Sequence, residues 1–351
     1  MNFASDNTAG IAPEILRALA EANPGFALGY GNDDLTRRVE RQIGELFERE
    51  VAVFLVPTGT AANALALAHL TPPWGGVLCH AQSHIMTDEC GAPEFFGGGL
   101  KLIGLPGDNG LLAPETVAAA IARYSGHRPH QVNAATLSLT QASEAGTIYR
   151  AGDIAELARI AHAHGLKVHM DGARFANAVA RLNASPAELT WKAGVDILSF
   201  GATKGGAMAA EAVVFFDPSI ADAMHERRKR AGHLFSKHRF LAAQFEAFLA
   251  RDTWLRLARH ANAMADRLAE RLRSAGIQPV WPVEANIVFA LIPERLDGKL
   301  RAGGAAYYVR ESDRLPGGMQ ADATDRLARF VTSFATTEDE IARFAELLQK
   351  R

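Results

Sequence analysis

Lysine is scarce in this chain, eight of 37 basic residues, and one of the eight stands where lysine is costly. In Asp196-Ile-Leu-Ser-Phe-Gly-Ala-Thr-Lys204-Gly-Gly-Ala-Met208, an apolar run of strand length ends in a single amine among small residues. A lysine drawn out of bulk water favours its neutral form, the nucleophile that an imine requires. A surface position is the default for any lysine, yet a surface lysine rarely closes a run such as Ile-Leu-Ser-Phe. Gly201, Ala202, Gly205, Gly206 and Ala207 are expected to leave room for a flat ring against the backbone. Asp171, in His169-Met-Asp-Gly-Ala-Arg174, closes another apolar run, so its carboxylate needs a cationic or N–H partner. A salt bridge to Arg174 would satisfy it structurally. The functional alternative is a carboxylate that keeps a cofactor's ring nitrogen protonated, leaving arginine to grip a substrate carboxylate bidentately.

Three weaker signals join these. Pro57-Thr-Gly-Thr-Ala-Ala-Asn63 sits where a strand hands over to a helix, and free N–H groups there favour an anion. An ordinary threonine N-cap explains the same residues, and the absence of a lysine after the glycine excludes a Walker loop. His84 follows a strand in Ala81-Gln-Ser-His-Ile85; a structural histidine is the plain reading, and an imidazole stacked on a planar cofactor or acting as a base is the sharper one. Gln141 also falls at a strand end.

The elements that would position these residues alternate. Strands are expected at Val51–Val56, Val77–Cys79, Ala134–Leu139, Lys167–Met170, Val195–Phe200 and Ala212–Phe216, with helices at Ala61–Leu70 and Ile154–Ile160. Strand–loop–helix repetition predicts an α/β fold with a mostly parallel, doubly wound sheet. In such a sheet ligands bind outside the carboxyl ends of the strands, where Thr58–Thr60, His84, Gln141, Asp171 and Lys204 all fall. From about Phe240 the pattern changes to long amphipathic helices, Ala242–Leu249 and Trp254–Ser274. Short strands follow at Ile287–Ile292, Ala306–Val309 and Phe330–Phe334, with a closing helix from Thr337. Residues 1–245 are therefore expected as a large domain with an N-terminal arm, and 246–351 as a smaller α+β domain. Gly298–Gly318 reads as a loop-rich connection.

Composition bounds the rest. A chain of 351 residues, 48% hydrophobic, can bury a sizeable core, and a net charge of −2 offers no basic field for nucleic acid or anionic membranes. Two cysteines, Cys79 and Cys90, are too few for a disulfide framework. The first residues lack the pattern of a signal peptide, and no apolar run approaches a bilayer span. A soluble cytoplasmic enzyme, with no membrane or nucleic-acid partner and no metal, is expected.

Taken in order, Thr-Gly-Thr, a strand-end histidine, Asp-Gly-Ala-Arg and a later lysine resemble pyridoxal-phosphate enzymes of the aspartate-aminotransferase fold, fold type I. In detail the chain resembles the L-threonine aldolase family, including its low-specificity threonine and phenylserine aldolases. The match runs through Phe3-Ala-Ser-Asp-Asn7, Tyr30-Gly-Asn-Asp-Asp34, Thr58-Gly-Thr-Ala-Ala-Asn63 and Thr87-Asp-Glu-Cys-Gly-Ala-Pro-Glu-Phe-Phe96. It continues in Thr140-Gln-Ala-Ser-Glu144, His169-Met-Asp-Gly-Ala-Arg-Phe175, Ala187-Glu-Leu-Thr-Trp-Lys-Ala-Gly194 and Ser236-Lys-His-Arg-Phe240. It covers essentially the whole chain and is weakest between about 293 and 325.

The resemblance implies a cleavage of the Cα–Cβ bond of L-β-hydroxy-α-amino acids to glycine and an aldehyde. Lys204 would form the internal aldimine with pyridoxal 5'-phosphate, Asp171 would pair with the pyridinium nitrogen, and His84 would stack on the ring. Gly59 and Thr60 would hold the phosphate, and Ser5, Arg174 and Arg329 would bind the substrate α-carboxylate. Tyr30 and Lys237 would complete a site shared across a subunit interface, in a homotetramer built as a dimer of dimers. Two departures stand out. Many relatives place a histidine in the loop after Leu139, where this chain offers Gln141 or Glu144; many place an arginine toward the phosphate, where this chain has Ser236 beside Lys237. His84 is the first candidate for the base, through water, and Glu144 the second.

Other readings use the same residues. A β-eliminating lyase or an aminotransferase needs the same lysine–aspartate pair and differs in which bond is aligned. A catalytically silent cofactor-binding or regulatory protein gains no support from a DNA-binding module or basic tract. A nucleotide enzyme built around Thr203-Lys204-Gly205 lacks the glycine spacing.

Overall fold

Short runs rich in Val, Ile, Leu and Phe, bounded by Gly, Pro or Asp, form seven strands of one sheet. The computed structural model describes residues 1–126, 129–311, 315, 316, 319, 321, 322 and 324–349. Two helices, α1 (Pro13–Glu21) and α2 (Asp34–Leu46), precede β1 (Ala52–Val56). There follow α3 (Gly59–Leu70), β2 (Gly75–His80), the short α4 (His84–Thr87) and α5 (Ala92–Phe96), β3 (Lys101–Leu105), α6 (Pro114–Arg123) and β4 (Asn133–Thr140). Next come α7 (Ala151–Ala163), β5 (Lys167–Gly172), α8 (Phe175–Leu182), β6 (Ile197–Gly201) and β7 (Glu211–Phe215). The order across the sheet is β1-β7-β6-β5-β4-β2-β3, with β7 alone reversed. The mostly parallel sheet expected from the sequence is thus formed.

β3 is a strand the periodicity did not reveal. It lies at the sheet edge, where Lys101 and Gly104 are exposed among buried Leu102, Ile103 and Leu105, so its apolar run is interrupted. α3, by contrast, is buried along Ala61–Ala68. Its alanines let the helix backbone lie close to the sheet, where longer side chains would hold it away. Beneath the carboxyl ends, Phe200 packs edge-on against Phe47, Phe175 and Trp254, with ring centroids 5.7–5.9 Å apart. That aromatic block fixes the end of β6, and with it the turn that carries Lys204.

The chain continues through α9 (Met224–Arg230), α10 (Arg239–Leu249) and the 22-residue α11 (Thr253–Ser274). A second, antiparallel sheet follows, ordered β8 (Ile287–Pro293), β10 (Asp325–Val331), β9 (Tyr308–Arg310), with α12 (Glu294–Ala302) and α13 (Glu338–Gln349). Two expectations are corrected here. The stretch Gly298–Gly318 opens inside helix α12, whose apolar stripe is thin enough to read as loop; residues 312–314, 317 and 318 of it lie outside the described residues. The strand expected at Phe330–Phe334 runs instead over Asp325–Val331, because the ladder to β8 selects the register Arg329↔Phe289. The N-terminus joins this sheet. Phe3 N–H donates to Ala306 O at 2.8 Å, Val331 N–H donates to Phe3 O at 2.8 Å, and the Phe3 ring packs on Phe344 and Phe330. Among the described residues, no helix is long and apolar enough to cross a membrane.

Candidate active site

The carboxyl ends of β4, β5 and β6 and the N-terminus of α3 converge on one polar cluster. Asp171, at the end of β5, is buried; its Oδ1 accepts the Ala173 N–H at 3.0 Å and its Oδ2 accepts from Asn63 Nδ2 at 3.1 Å. The same Asn63 nitrogen donates to Glu89 Oε1 at 2.9 Å, and that oxygen meets His84 Nδ1 at 2.8 Å. The bond to Glu89 raises the His84 imidazole above its ordinary value; burial opposes it, and Glu144 and Asp171 assist. Burial likewise lifts the Glu89 carboxyl.

Lys204 lies in the tight turn between β6 and β7, half-buried, and makes no hydrogen bond or ion pair among the described residues. The small residues around it are used differently from the sequence expectation. A Cβ on Gly201 would stand 2.7 Å from the Ala173 backbone, and one on Gly205 would stand 2.7 Å from the Phe248 ring. Gly206 has φ +118°, with Ala12 beside it. These glycines close the turn and dock it on its neighbours. Gly59 is the open one: a Cβ there would meet nothing within 4 Å. It opens α3, whose N-cap Thr58 accepts the Ala61 N–H at 3.1 Å. The threonine cap and a free helix N-terminus therefore coexist.

Arg174 does not pair with Asp171. Its Nε and Nη2 donate to Asp6 Oδ2 and Oδ1 at 2.8 and 3.0 Å, and Asn286 Nδ2 adds a bond to Asp6 Oδ2 at 3.1 Å. Burial raises the Asp6 carboxyl, but the Arg174 and Lys204 charges and these bonds outweigh it and bring it down to about 2. Arg329, on β10, is buried without a hydrogen bond or ion pair among the described residues. Burial and the Arg174 charge push it down to about 10, against Glu144 and Asp6, so it stays charged at neutral pH. Of the two residues offered by the loop after β4, Gln141 is occupied structurally: it donates to Tyr149 O at 2.8 Å and accepts Tyr149 N–H at 2.9 Å. Glu144 faces the site, in a small concavity with Gln82, Asp88, Phe289, Arg310 and Arg329. Burial pushes its carboxyl up, but Arg174, Lys204, Arg329 and His84 together hold it below its usual range.

Ser5 joins through Asp6, its hydroxyl 3.4 Å from the Asp6 carboxylate. Tyr30 and Lys237 stand elsewhere. Tyr30 N–H donates to Ser236 O at 3.1 Å, and the Lys229 ammonium lies 4.8 Å from the Tyr30 ring centroid. Both Tyr30 and Lys237 are exposed, and no contact joins them to Lys204 among the described residues. Reasoning from sequence assigned no role to Asp6, Asn63, Glu89, Glu211 or Asn286. The first three lie inside stretches already singled out, and Asn63 carried a signal as the one large polar residue in a run of alanines. Glu211 opens β7 beneath the lysine turn, where its Oε2 accepts the Ala202 N–H at 3.2 Å and burial pushes it up to about 7.

With this geometry in hand, comparison with known proteins is decisive. Residues 2–294 match the beta-eliminating lyase family. The chain belongs to that family. Within the beta-eliminating lyases it is 46% identical to a low specificity L-threonine aldolase of Pseudomonas aeruginosa, over 88% of each chain. It is 40% identical to another of that description from a Pseudomonas species, over 98% of this chain and 95% of the relative. A solved structure of a Leishmania major threonine aldolase superposes with a TM-score of 0.92 at 28% identity, covering 99% of this chain and 98% of that one. The family resemblance drawn from the motifs is borne out, and so is the aspartate-aminotransferase-like fold.

Proposed function

We propose that this protein is a pyridoxal-phosphate-dependent aldolase that splits L-β-hydroxy-α-amino acids of the threonine type into glycine and an aldehyde. The observation that carries the reading is the convergence of half-buried Lys204, without a hydrogen bond or ion pair among the described residues, with Asp171, His84 and Arg174 at one edge of the large sheet, where Arg329 of the small sheet also faces. The residues present fit the cofactor. α3 offers free amides beside an open Gly59, Asp171 presents a carboxylate at a strand end, and Asn63 Oδ1 and Glu89 Oε2 are buried without hydrogen-bond partners among the described residues. Gly59 and Thr60 would hold its phosphate, Asp171 its ring nitrogen, His84 its face and Lys204 its carbonyl carbon. When bound, the group supplies an electron sink for the pair left on Cα.

The chain's own residues do the rest. Arg174 and Arg329, with Ser5, hold the substrate α-carboxylate and so set the orientation of Cα. Glu89 occupies His84 Nδ1, which leaves Nε2 to take the β-hydroxyl proton, directly or through water. Glu144 is the second candidate for that proton. A β-eliminating lyase shares the family's description and the same lysine–aspartate pair. Incubation with threonine, allo-threonine and phenylserine isomers separates the two: glycine with aldehyde supports the aldolase, and ammonia with a keto acid and no glycine rejects it. Borohydride reduction is expected to fix the cofactor on the peptide containing Lys204; modification of another lysine would reject the assignment. Acceptance of phenylserine belongs to the same proposal, and the panel decides it.

The enzyme is further proposed to be a cytoplasmic homotetramer, a dimer of dimers, in which Tyr30 and Lys237 complete a neighbour's site. Two free cysteines, one buried and one exposed, fit a reducing compartment. Phe26 and Leu28, 109% and 70% exposed beside Tyr30, form an apolar segment that calls for a cover. Light scattering is expected to give four times the 37.7 kDa chain mass. A monomer mass at micromolar concentration would exclude the shared site.

A further inference from the structure

His84 does not stand alone, and what holds it was not evident from its sequence context. Glu89 is 4% exposed, one of five buried carboxylates among the described residues, and burying a carboxylate is unfavourable unless it is paired and hydrogen-bonded. Its Oε1 receives two donors at once, His84 Nδ1 at 2.8 Å and Asn63 Nδ2 at 2.9 Å. Its Oε2 is buried and makes no hydrogen bond among the described residues. The Asn63 nitrogen also reaches Asp171 at 3.1 Å, so one amide bridges two carboxylates. An acid serving only to fill space would be expected to satisfy both oxygens; this one has committed a single oxygen to a histidine and to the amide that holds Asp171.

We infer that Glu89 is a positioning residue for this site, fixing the His84 imidazole by its Nδ1 and tying it through Asn63 to Asp171. The inference rests on the aldolase reading for its kinetic consequence. With Glu89 ionised, neutral His84 carries its hydrogen on Nδ1 and presents a lone pair at Nε2, the form that accepts a proton from substrate. The carboxylate also stabilises the imidazolium formed once that proton is taken. The charges that face His84 come from four elements. Glu89 follows α4, Glu144 follows β4 and Asp171 ends β5, all three favouring its protonation; Lys204, after β6, opposes them.

The substitutions Glu89→Gln and Glu89→Asp in the cofactor-loaded enzyme separate charge from packing. Glutamine can still accept the Nδ1 hydrogen but carries no charge; aspartate keeps the charge on a shorter arm. For E89Q, kcat for glycine release is expected to fall by ~10-fold or more with KM changed less than about threefold. The acid limb of its kcat/KM–pH profile should move to lower pH, because His84 loses the neighbour that raises it and is neutral sooner. E89D should return the limb toward the wild-type position. A profile for E89Q that superimposes on wild type overturns the inference, as does an equal loss in both variants with the acid limb unmoved. A second measurement needs no substrate and stands even if the aldolase reading fails: histidine-labelled NMR, with H84F to assign the resonance. In the wild type, His84 should titrate above the ordinary histidine value and fall in E89Q. Titration at or below the ordinary value in the wild type overturns the inference by itself, including where E89Q cannot be obtained folded.

Discussion

Replacing Lys204 with alanine is expected to lower turnover by ~10³-fold or more, the scale on which removal of a nucleophile acting with partners is felt. It should also abolish the covalent fixation of the cofactor by borohydride that is expected of the wild type. The fold itself should persist. The amine is half-buried and makes no hydrogen bond or ion pair among the described residues, so its removal breaks no pair. Loss of its charge near the Asp6, Glu144 and Glu211 carboxylates is expected to cost about 1 kcal/mol, small beside the loss of rate. Lys204→Arg sharpens the test. It keeps the positive charge that bears on Asp6, Glu144 and Glu211, but its guanidinium does not deprotonate and offers no neutral nucleophile. If electrostatics alone were the role of Lys204, K204R would retain most activity; if the amine forms a bond, K204R should be as inactive as K204A. Initial rates with a thermal melt on each variant decide the matter. A K204A enzyme within tenfold of wild type would sink the assignment.

How much of this could be read in advance follows from how local each feature is. Lys204 and Asp171 were legible because each closes an apolar run and His84 because it follows one, and the strand pattern alone delivers all three to one edge. Their connections were not, because Asn63 lies on α3, Glu89 follows α4 and Asp171 ends β5, and no periodicity relates three such elements. The same holds for Arg174. Asp171, three residues away, looks like its natural partner, yet the partner is Asp6, 168 residues distant on the N-terminal arm. β3 escaped because an edge strand tolerates exposed Lys101 and Gly104, and β10 was misplaced because its register is set by the ladder with β8. Gln141 and Glu144 could not be told apart in the sequence. Only folding shows that the glutamine closes both its bonds on the Tyr149 backbone while the glutamate faces the arginines.

The second large effect is expected at Asp6–Arg174. The two side chains are 1% and 3% exposed and joined by two hydrogen bonds, so removing either leaves a buried charge without its partner. Arg174→Leu is expected to lose about 3–5 kcal/mol of stability. If Arg174 grips the substrate carboxylate as proposed, R174L should also raise KM by an order of magnitude or more. Asp6→Asn probes the pair from the other side and carries a pH signature. The Asp6 carboxyl sits at about 2 in the fold against an ordinary 3.8, a lowering that corresponds to about 2 kcal/mol at 1.36 kcal/mol per unit. A depressed acid contributes its stability fully above the ordinary value and loses it as pH falls through the folded value. Wild type should therefore exceed D6N most clearly above about pH 4, with the gap closing toward pH 2; chemical denaturation across that range measures it. The kinetic consequence follows from where Asp6 is anchored. Phe3, three residues before it, is locked into the small sheet, Asn286 holds Asp6 from the residue before β8, and Arg174 leads into α8 beside the large sheet. The arm thus joins the arginine after β5 to the sheet that carries Arg329, and freeing it should loosen the spacing of the two guanidinium groups. D6N is then expected to raise KM even though the asparagine touches no substrate. Arg174→Lys gives the complementary result: a single ammonium preserves the charge opposite Asp6 but cannot reproduce the two hydrogen bonds to it, so the melt should fall, though less than in R174L, while KM still rises.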